Sequence, residues 1–210
     1  MTLSPAASLA ERLRGAVANE RVLAAIASIP RERFVPEAER HRAYENVALP
    51  IACEQTISQP LVVARMLEAL DPRGADRVLD IGTGSGYHAA LLALLTAHVW
   101  TIERHPELSS HAAEAIGGLG LDNVTFVVGD GGAGLPSQAP FDAINVAAAT
   151  NHAVTVALER QLGLGGRLVV PVGRRRQHLV RIVRTPHGCI REQLESVRFV
   201  PLVRDSNGGG

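Results

Sequence analysis

Apolar residues recur at two different periods along this chain, and the change of period divides it into three parts. Near the start, Leu9, Leu13, Ala16 and Val17 fall on one helical face. Val22, Leu23, Ile26 and Ile29 make a second face, which Pro30 and Pro36 bring to an end. Residues 48–60 keep no steady period and read as an ordered loop. Residues 59–70 are helical again, with Val63, Met66, Leu67 and Leu70 on one side. Pro60 suits the first turn of that helix, where a missing N–H costs nothing. From residue 77 onward, short apolar runs at 77–81, 98–103, 123–128, 141–146 and 167–172 alternate with helical stretches at about 86–95, 106–119 and 151–162. That alternation predicts right-handed βαβ units and a mostly parallel sheet, an α/β fold. The runs are nearly continuous in apolar residues, as strands covered by helices on both faces are. The third part, 178–184 and 195–203, shows two strand-like runs with His187-Gly188 as a turn between them. It predicts an antiparallel hairpin added to the parallel sheet. The polar, glycine-rich stretch 205–210 reads as a disordered tail. No repeat or linker splits the chain, so residues 1–204 are expected to form one domain, with 1–56 as its helical and substrate-side segment.

Composition narrows the chemistry. The 210 residues carry 21 basic and 21 acidic side chains, a net charge of zero, and every basic one is Arg. Without Lys there is no P-loop, no Schiff base and no Ser-Lys pair. The neutral balance and an aromatic content of 3% argue against a nucleic-acid partner. No apolar run reaches the ~20 residues that cross a bilayer, and the first nine residues do not look like a signal peptide. Cys53 and Cys189 make no metal-ligand pattern and fit a reducing compartment. The expectation is therefore a cytoplasmic monomer with no metal and no membrane.

The sharpest local pattern is Val78-Leu79-Asp80-Ile81-Gly82-Thr83-Gly84-Ser85-Gly86-Tyr87, which follows the first strand of the alternating part and opens a helix. Glycines there allow a tight turn and a close approach of backbone to ligand. The spacing is G-x-G-x-G rather than the G-x-G-x-x-G of dinucleotide sites, which counts against a nicotinamide cofactor. Asp80 would repel a pyrophosphate and suits a cationic ligand such as S-adenosylmethionine. Glu103, at the tip of the second strand, can accept both ribose hydroxyls, and Asp130 in Gly129-Asp130-Gly131 can meet the adenine amino group. Taken alone, the loop could be a plain strand–helix turn. Three acids at three successive strand ends favour the cofactor reading.

Several longer stretches carry a resemblance. They are Arg33-Phe34-Val35-Pro36, Ala43-Tyr44-Glu45-Asn46, Gln55-Thr56-Ile57-Ser58-Gln59-Pro60 and Ala139-Pro140-Phe141-Asp142-Ala143-Ile144. To these are added the glycine loop, Gly129-Asp130-Gly131, residues 165–173 and Phe199-Val200-Pro201-Leu202. Over about residues 9–204 the chain resembles the protein-L-isoaspartate O-methyltransferase family in its bacterial form. The glycine loop is common to many methyltransferases, whereas the Gln-Thr-Ile-Ser stretch is far more specific. The resemblance implies a Rossmann-like class I methyltransferase fold with a seven-stranded sheet. It also implies methyl transfer from S-adenosylmethionine to the free carboxylate of isoaspartyl residues in damaged proteins, leaving S-adenosylhomocysteine. By that resemblance Ser58 is the active-site serine. Gln55, Thr56 and Ile57 contact the cofactor with Asp80, Gly82, Thr83, Gly84, Gly86, Glu103, Asp130 and Gly131. Val200, Pro201 and Leu202 close over the peptide.

The carboxyl acceptor needs no strong base, because at a pKa near ~4 it is already ionised at pH 7. Ser58 can then serve as a hydrogen-bond donor to that carboxylate, or simply as the N-cap of the helix that starts near Pro60. Two departures from the family's pattern stand out. Ile51-Ala52-Cys53-Glu54 replaces a glycine-containing run, with Glu54 at the glycine position. Asn145-Val146-Ala147-Ala148-Ala149 replaces a His-containing one. A positive φ at Glu54 would cost roughly 1–2 kcal/mol, and its charge would lie near an anionic acceptor. Cys53 is either a thiol near the site or a small apolar filler. His88 and His98 read as packing or surface residues, and Arg174-Arg175-Arg176 as a solvated loop, with weak substrate steering as its other reading. Two other functions share the cofactor: an aspartyl methyltransferase for a dedicated natural-product peptide, and a non-catalytic binding module.

Overall fold

A computed structural model describes residues 3–203 of the chain. Two short helices, α1 (Pro5–Leu13) and α2 (Glu20–Ser28), form where the first two apolar faces lie. Their N-caps are Ser4 and Asn19, whose side chains accept amide hydrogens of the first turn. Two 3-10 turns at 31–34 and 37–42 follow. The stretch 48–60, expected to be a loop, contains a small hairpin instead. Strand β1 (Leu49–Pro50) pairs antiparallel with β2 (Thr56–Ile57) around a tight turn at 52–55. Two-residue strands are too short to show an apolar period, so the pattern missed them. Helix α3 (Pro60–Leu70) buries Val63, Met66, Leu67 and Leu70, as its spacing predicts.

The alternating part supplies the sheet. It comprises β3 (Arg77–Ile81), α4 (Tyr87–Leu95), β4 (His98–Glu103), α5 (Pro106–Gly117), β5 (Val124–Val128), β6 (Phe141–Val146), α6 (His152–Glu159) and β7 (Leu162–Gly173). Two further strands, β8 (Gln177–Thr185) and β9 (Gly188–Val197), complete it. Seven strands lie in the order β5-β4-β3-β6-β7-β8-β9; the first five are parallel and the last two antiparallel. The α/β class, the mostly parallel seven-stranded sheet and the terminal antiparallel hairpin all stand as expected.

Two boundaries need correction. β7 starts five residues earlier than the apolar run, because Gly163 to Gly166 continue its extended path. The last strand runs over 188–197 rather than 195–203. Residues 190–193 are all exposed at the sheet edge, and that half of the strand shows no apolar pattern. Residues 199–202 instead form a strap: Ala149 N–H donates to the Val200 carbonyl and Leu202 N–H to the Ala149 carbonyl, around an isolated bridge between Ala149 and Pro201. The tail at 205–210 lies outside the described residues.

The sheet is covered on both faces. Val78 joins the core formed with α1, α2, α3 and α4, while Leu79 and Ile81 join a second core with α6. This is the two-fold alternation of a strand buried on both sides. The chain reverses direction in the sheet order at β3, whose neighbours are β4 and β6. A ligand crevice is expected beyond the carboxyl ends of the strands at that reversal.

Candidate active site

A cavity of about 300 Å³ opens at that edge. Its floor is the glycine loop, with Gly82, Thr83 and Gly84 on the wall, and Gly82 and Gly84 at φ of 88° and 52°. Glu103 reaches it from the tip of β4. One carboxylate oxygen accepts Gly84 N–H at 2.9 Å and the other accepts His105 N–H at 3.0 Å. Each oxygen keeps a lone pair for a ligand. Gln55, Thr56, Ile57 and Ser58 line the opposite side, and Gly131, Val200, Pro201 and Leu202 complete the residues expected there.

Three expected ligand residues are absent from the wall. Asp80 is fully buried beneath the loop, with its oxygens taken by Thr101 Oγ1 at 2.9 Å and Asn145 Nδ2 at 2.7 Å. Thr83 Oγ1 meets Thr101 Oγ1 at 2.6 Å, so Asp80 anchors the glycine loop through Thr101 rather than meeting a cationic ligand. Burial pushes its carboxyl up to about 6 despite those two donors. Gly86 begins α4 at φ 87°, and a Cβ there would lie 2.8 Å from Ala112 Cβ of α5. Its need for glycine is therefore packing against α5. Asp130 accepts Gly132 N–H at 2.7 Å and caps the turn after β5. Gly129 and Gly131 face the cavity instead, and a Cβ on Gly131 would strike Ile81 Cγ2 at 2.4 Å.

Other wall residues were not foreseen. Tyr87, His88, Arg104 and His105 line the cavity, as do Ala147 and Ala148 of the run that departs from the family's pattern. His88 is buried and its Nε2 has no partner; burial lowers its pKa to about 4, so it stays neutral at pH 7. Its position directly after the glycine loop was the one available signal.

Ser58 sits where this cavity meets a second one of about 310 Å³, lined by Gln59, Val62, Phe199 and Val200 among others. Thr56, Ser58, Ala147 and Val200 belong to both. The capping alternative does not hold: the N-cap of α3 is Gln59, and the side chain that meets that end is Asn46, whose Oδ1 accepts Leu61 N–H at 3.0 Å. The Ser58 hydroxyl makes no hydrogen bond within the described residues. Its backbone is fixed from below by Arg31, which was also not foreseen. Arg31 is fully buried and donates from Nη2 to the Ser58 carbonyl and from Nε to the Ala43 carbonyl, each at 2.8 Å. Its Cζ stands 4.8 Å over the Tyr87 ring. Burial lowers its pKa to about 10, which leaves it cationic at pH 7.

Glu54 and Cys53 occupy the two central positions of the 52–55 turn, with φ of 57° and 56°. Gln55 N–H closes the turn on the Ala52 carbonyl at 3.2 Å. The positive φ expected at the glycine position is thus present. Glu54 lines the first cavity and not the second, so its charge lies away from the second cavity. The Cys53 thiol is pushed up by desolvation and by Glu107, whose oxygen is 3.8 Å away, and it does not line the cavity. The Glu54→Gly variant is expected to gain about 1 kcal/mol, the left-handed strain removed less the entropy glycine adds to the unfolded chain. A urea titration checks it, and an unchanged or lower midpoint refutes the strain.

Comparison with known proteins agrees with this geometry. The sequence profile of the protein-L-isoaspartate(D-aspartate) O-methyltransferase family matches residues 7–207. A protein-L-isoaspartate O-methyltransferase of Ignicoccus hospitalis is 48% identical over 196 residues, covering 91% of this chain and 92% of the relative. One from Cronobacter sakazakii is 51% identical over 188 residues, covering 90% of each. A solved protein-L-isoaspartate O-methyltransferase superposes with a TM-score of 0.84 at 29% identity, over 92% of this chain and 64% of its own longer one. A Plasmodium falciparum structure described as a protein-L-isoaspartate O-methyltransferase in complex with S-adenosyl-L-homocysteine gives 0.82 at 25% identity, over 95% and 99%. With the glycine loop, Glu103 and the Gln55–Ser58 wall around one cavity, and with matches across nearly its whole length, the chain belongs to the protein-L-isoaspartate(D-aspartate) O-methyltransferase family.

Proposed function

We propose that this chain transfers a methyl group from S-adenosylmethionine to the free α-carboxylate of isoaspartyl residues in proteins and peptides. The observation that carries the reading is the meeting of two cavities at the unspent hydroxyl of Ser58. One cavity has the glycine loop and Glu103 of a nucleoside site, and the other is open for a polypeptide. The residues fit the donor. Glu103 is held in place by two backbone amides and keeps acceptor capacity for a ribose diol. The backbone at Gly82 and Gly84 turns without side chains that would fill the cradle. When bound, S-adenosylmethionine supplies a methyl group on a cationic sulfur, open to displacement by an oxygen.

The protein's own work is then alignment and shielding. Ser58 donates to the acceptor carboxylate and sets the direction of the attacking oxygen. The strap at Val200, Pro201 and Leu202 covers the junction and limits water. No proton has to be removed, since the acceptor is already ionised. The resulting ester expels methanol when the next backbone nitrogen closes a succinimide, and hydrolysis returns part of that ring to normal aspartate. Cys53 and Cys189 are both unpaired thiols, which suits a reducing cytoplasm. Among the described residues, no helix is long and apolar enough to cross a membrane.

An isoaspartyl peptide and its normal aspartyl twin, each incubated with labelled S-adenosylmethionine, test the reading. Labelling of the isoaspartyl peptide alone is expected. Equal labelling, or none, overturns it. Preference for the aspartyl twin would point to a dedicated aspartyl acceptor, and cofactor binding without any methylation to a binding module.

A further inference from the structure

Neutrality of the whole chain conceals a local excess of positive charge. Residues 160–203 hold nine Arg against two Glu. Some of these cations are already spent: Arg167 pairs with Asp76 and Arg191 with Glu159, while Glu195 is held by Arg65. Others are not. Arg198 is exposed, has no hydrogen bond or ion pair among the described residues, and is the one charged side chain on the wall of the second cavity. The Gln177 side chain clamps Phe199 from both sides, accepting its N–H at 2.6 Å and donating to its carbonyl at 3.1 Å. That clamp brings the turn carrying Arg174, Arg175 and Arg176 beside the strap, with those three side chains exposed and equally unpaired. We propose that the second cavity reads the residues flanking the isoaspartate and favours acidic ones, with Arg198 as the specificity-determining cation. The inference rests on the methyltransferase reading above and adds a substrate class to it. Each exposed charge contributes little alone, but one on the groove wall and three of the same sign on the turn clamped to the strap add up and are screened by salt.

The test uses isoaspartyl peptides that differ only in flanking residues, acidic, neutral or basic, with kcat and KM measured separately. At low ionic strength the acidic peptide should exceed the basic one in kcat/KM by about tenfold, carried by KM, and the ratio should shrink in 0.5 M salt. In Arg198→Gln the ratio should fall to about threefold, and in Arg198→Glu it should approach one or invert. An unchanged ratio in Arg198→Glu overturns the proposal. So does an equal loss for all three peptides, which would mean that Arg198 holds the reacting carboxylate itself. If the wild type labels no isoaspartyl peptide of any charge, the methyltransferase reading fails and this one falls with it; equal labelling of all three peptides sinks only the flank reading.

Discussion

Replacing Arg167 by Met should cost about 3–5 kcal/mol of folding stability, a drop in midpoint temperature of roughly 8–16 °C for a chain of this size. Arg167 lies on β7 at 4% exposure, in the half of the strand far from the cavity. Its Nε donates to the Leu70 carbonyl at 3.1 Å and its Nη1 to the Asp142 carbonyl at 3.0 Å. Nη2 reaches the Asp71 carbonyl at 2.6 Å and the Asp76 carboxylate at 2.5 Å. One side chain therefore closes the C-terminal end of α3, where Asp71 has turned left-handed, and fixes the chain as it enters β3. Met can fill the volume but leaves three carbonyls without that donor. It also leaves Asp76 as a buried charge supported only by Arg73 N–H at 2.8 Å. Asp76→Asn in the same background should recover part of the loss, giving a clear departure from additivity in the double-mutant cycle. Urea titration measures it, with cofactor affinity of the folded variant unchanged. A loss under about 1 kcal/mol would mean that the cost of desolvating the pair nearly cancels its attraction.

Arg167 also shows where reading a sequence stops. It stands inside an apolar run and is part of a family-like stretch, yet three of its four partners lie 91 to 97 positions earlier in the chain. Nothing local announces them. Arg31 is similar: a charged residue just beyond a helix, whose partners at Ala43 and Ser58 are brought near only by the packing of the N-terminal segment. What was legible had a local cause. The strands at 77–81, 98–103 and 141–146 have the boundaries their apolar runs predict, because most of their positions are buried and the runs are dominated by apolar residues. The glycine loop and Glu103 were legible because they follow strand ends directly. Asp80 was misread for a physical reason. Strand alternation turns it toward the same face as Val78, into the protein, so proximity to the loop in sequence did not mean exposure to the ligand. β9 was missed over 188–194 because an edge strand exposed at every position from 190 to 193 has too little apolar pattern to show.

The largest effect on catalysis is expected from Ser58→Ala, a fall of about 10–100-fold in single-turnover methylation at saturating S-adenosylmethionine. The size follows from what the hydroxyl does and does not do. It caps no helix, because Gln59 holds that position, and it bonds to no described residue, so its loss should leave folding nearly untouched. Its carbonyl is held by Arg31 through the backbone, so the replacement leaves the local chain path in place. What disappears is one donor aimed at the junction of the two cavities. A carboxylate has two equivalent oxygens and rotates freely. Without a donor on one oxygen, the other spends less time in line with the methyl–sulfur bond, and the barrier rises by about 1–3 kcal/mol. Cofactor binding supplies the contrast. Glu103→Ala removes the acceptor proposed for the ribose and the anchor for Gly84 N–H, and it should weaken cofactor affinity by about 1–3 kcal/mol in calorimetry. Ser58→Ala should leave that affinity within about twofold. If Ser58→Ala turns over like the wild type, the carboxylate is oriented by backbone amides alone. If it loses cofactor affinity as Glu103→Ala does, Ser58 belongs to the donor side of the junction rather than to the acceptor.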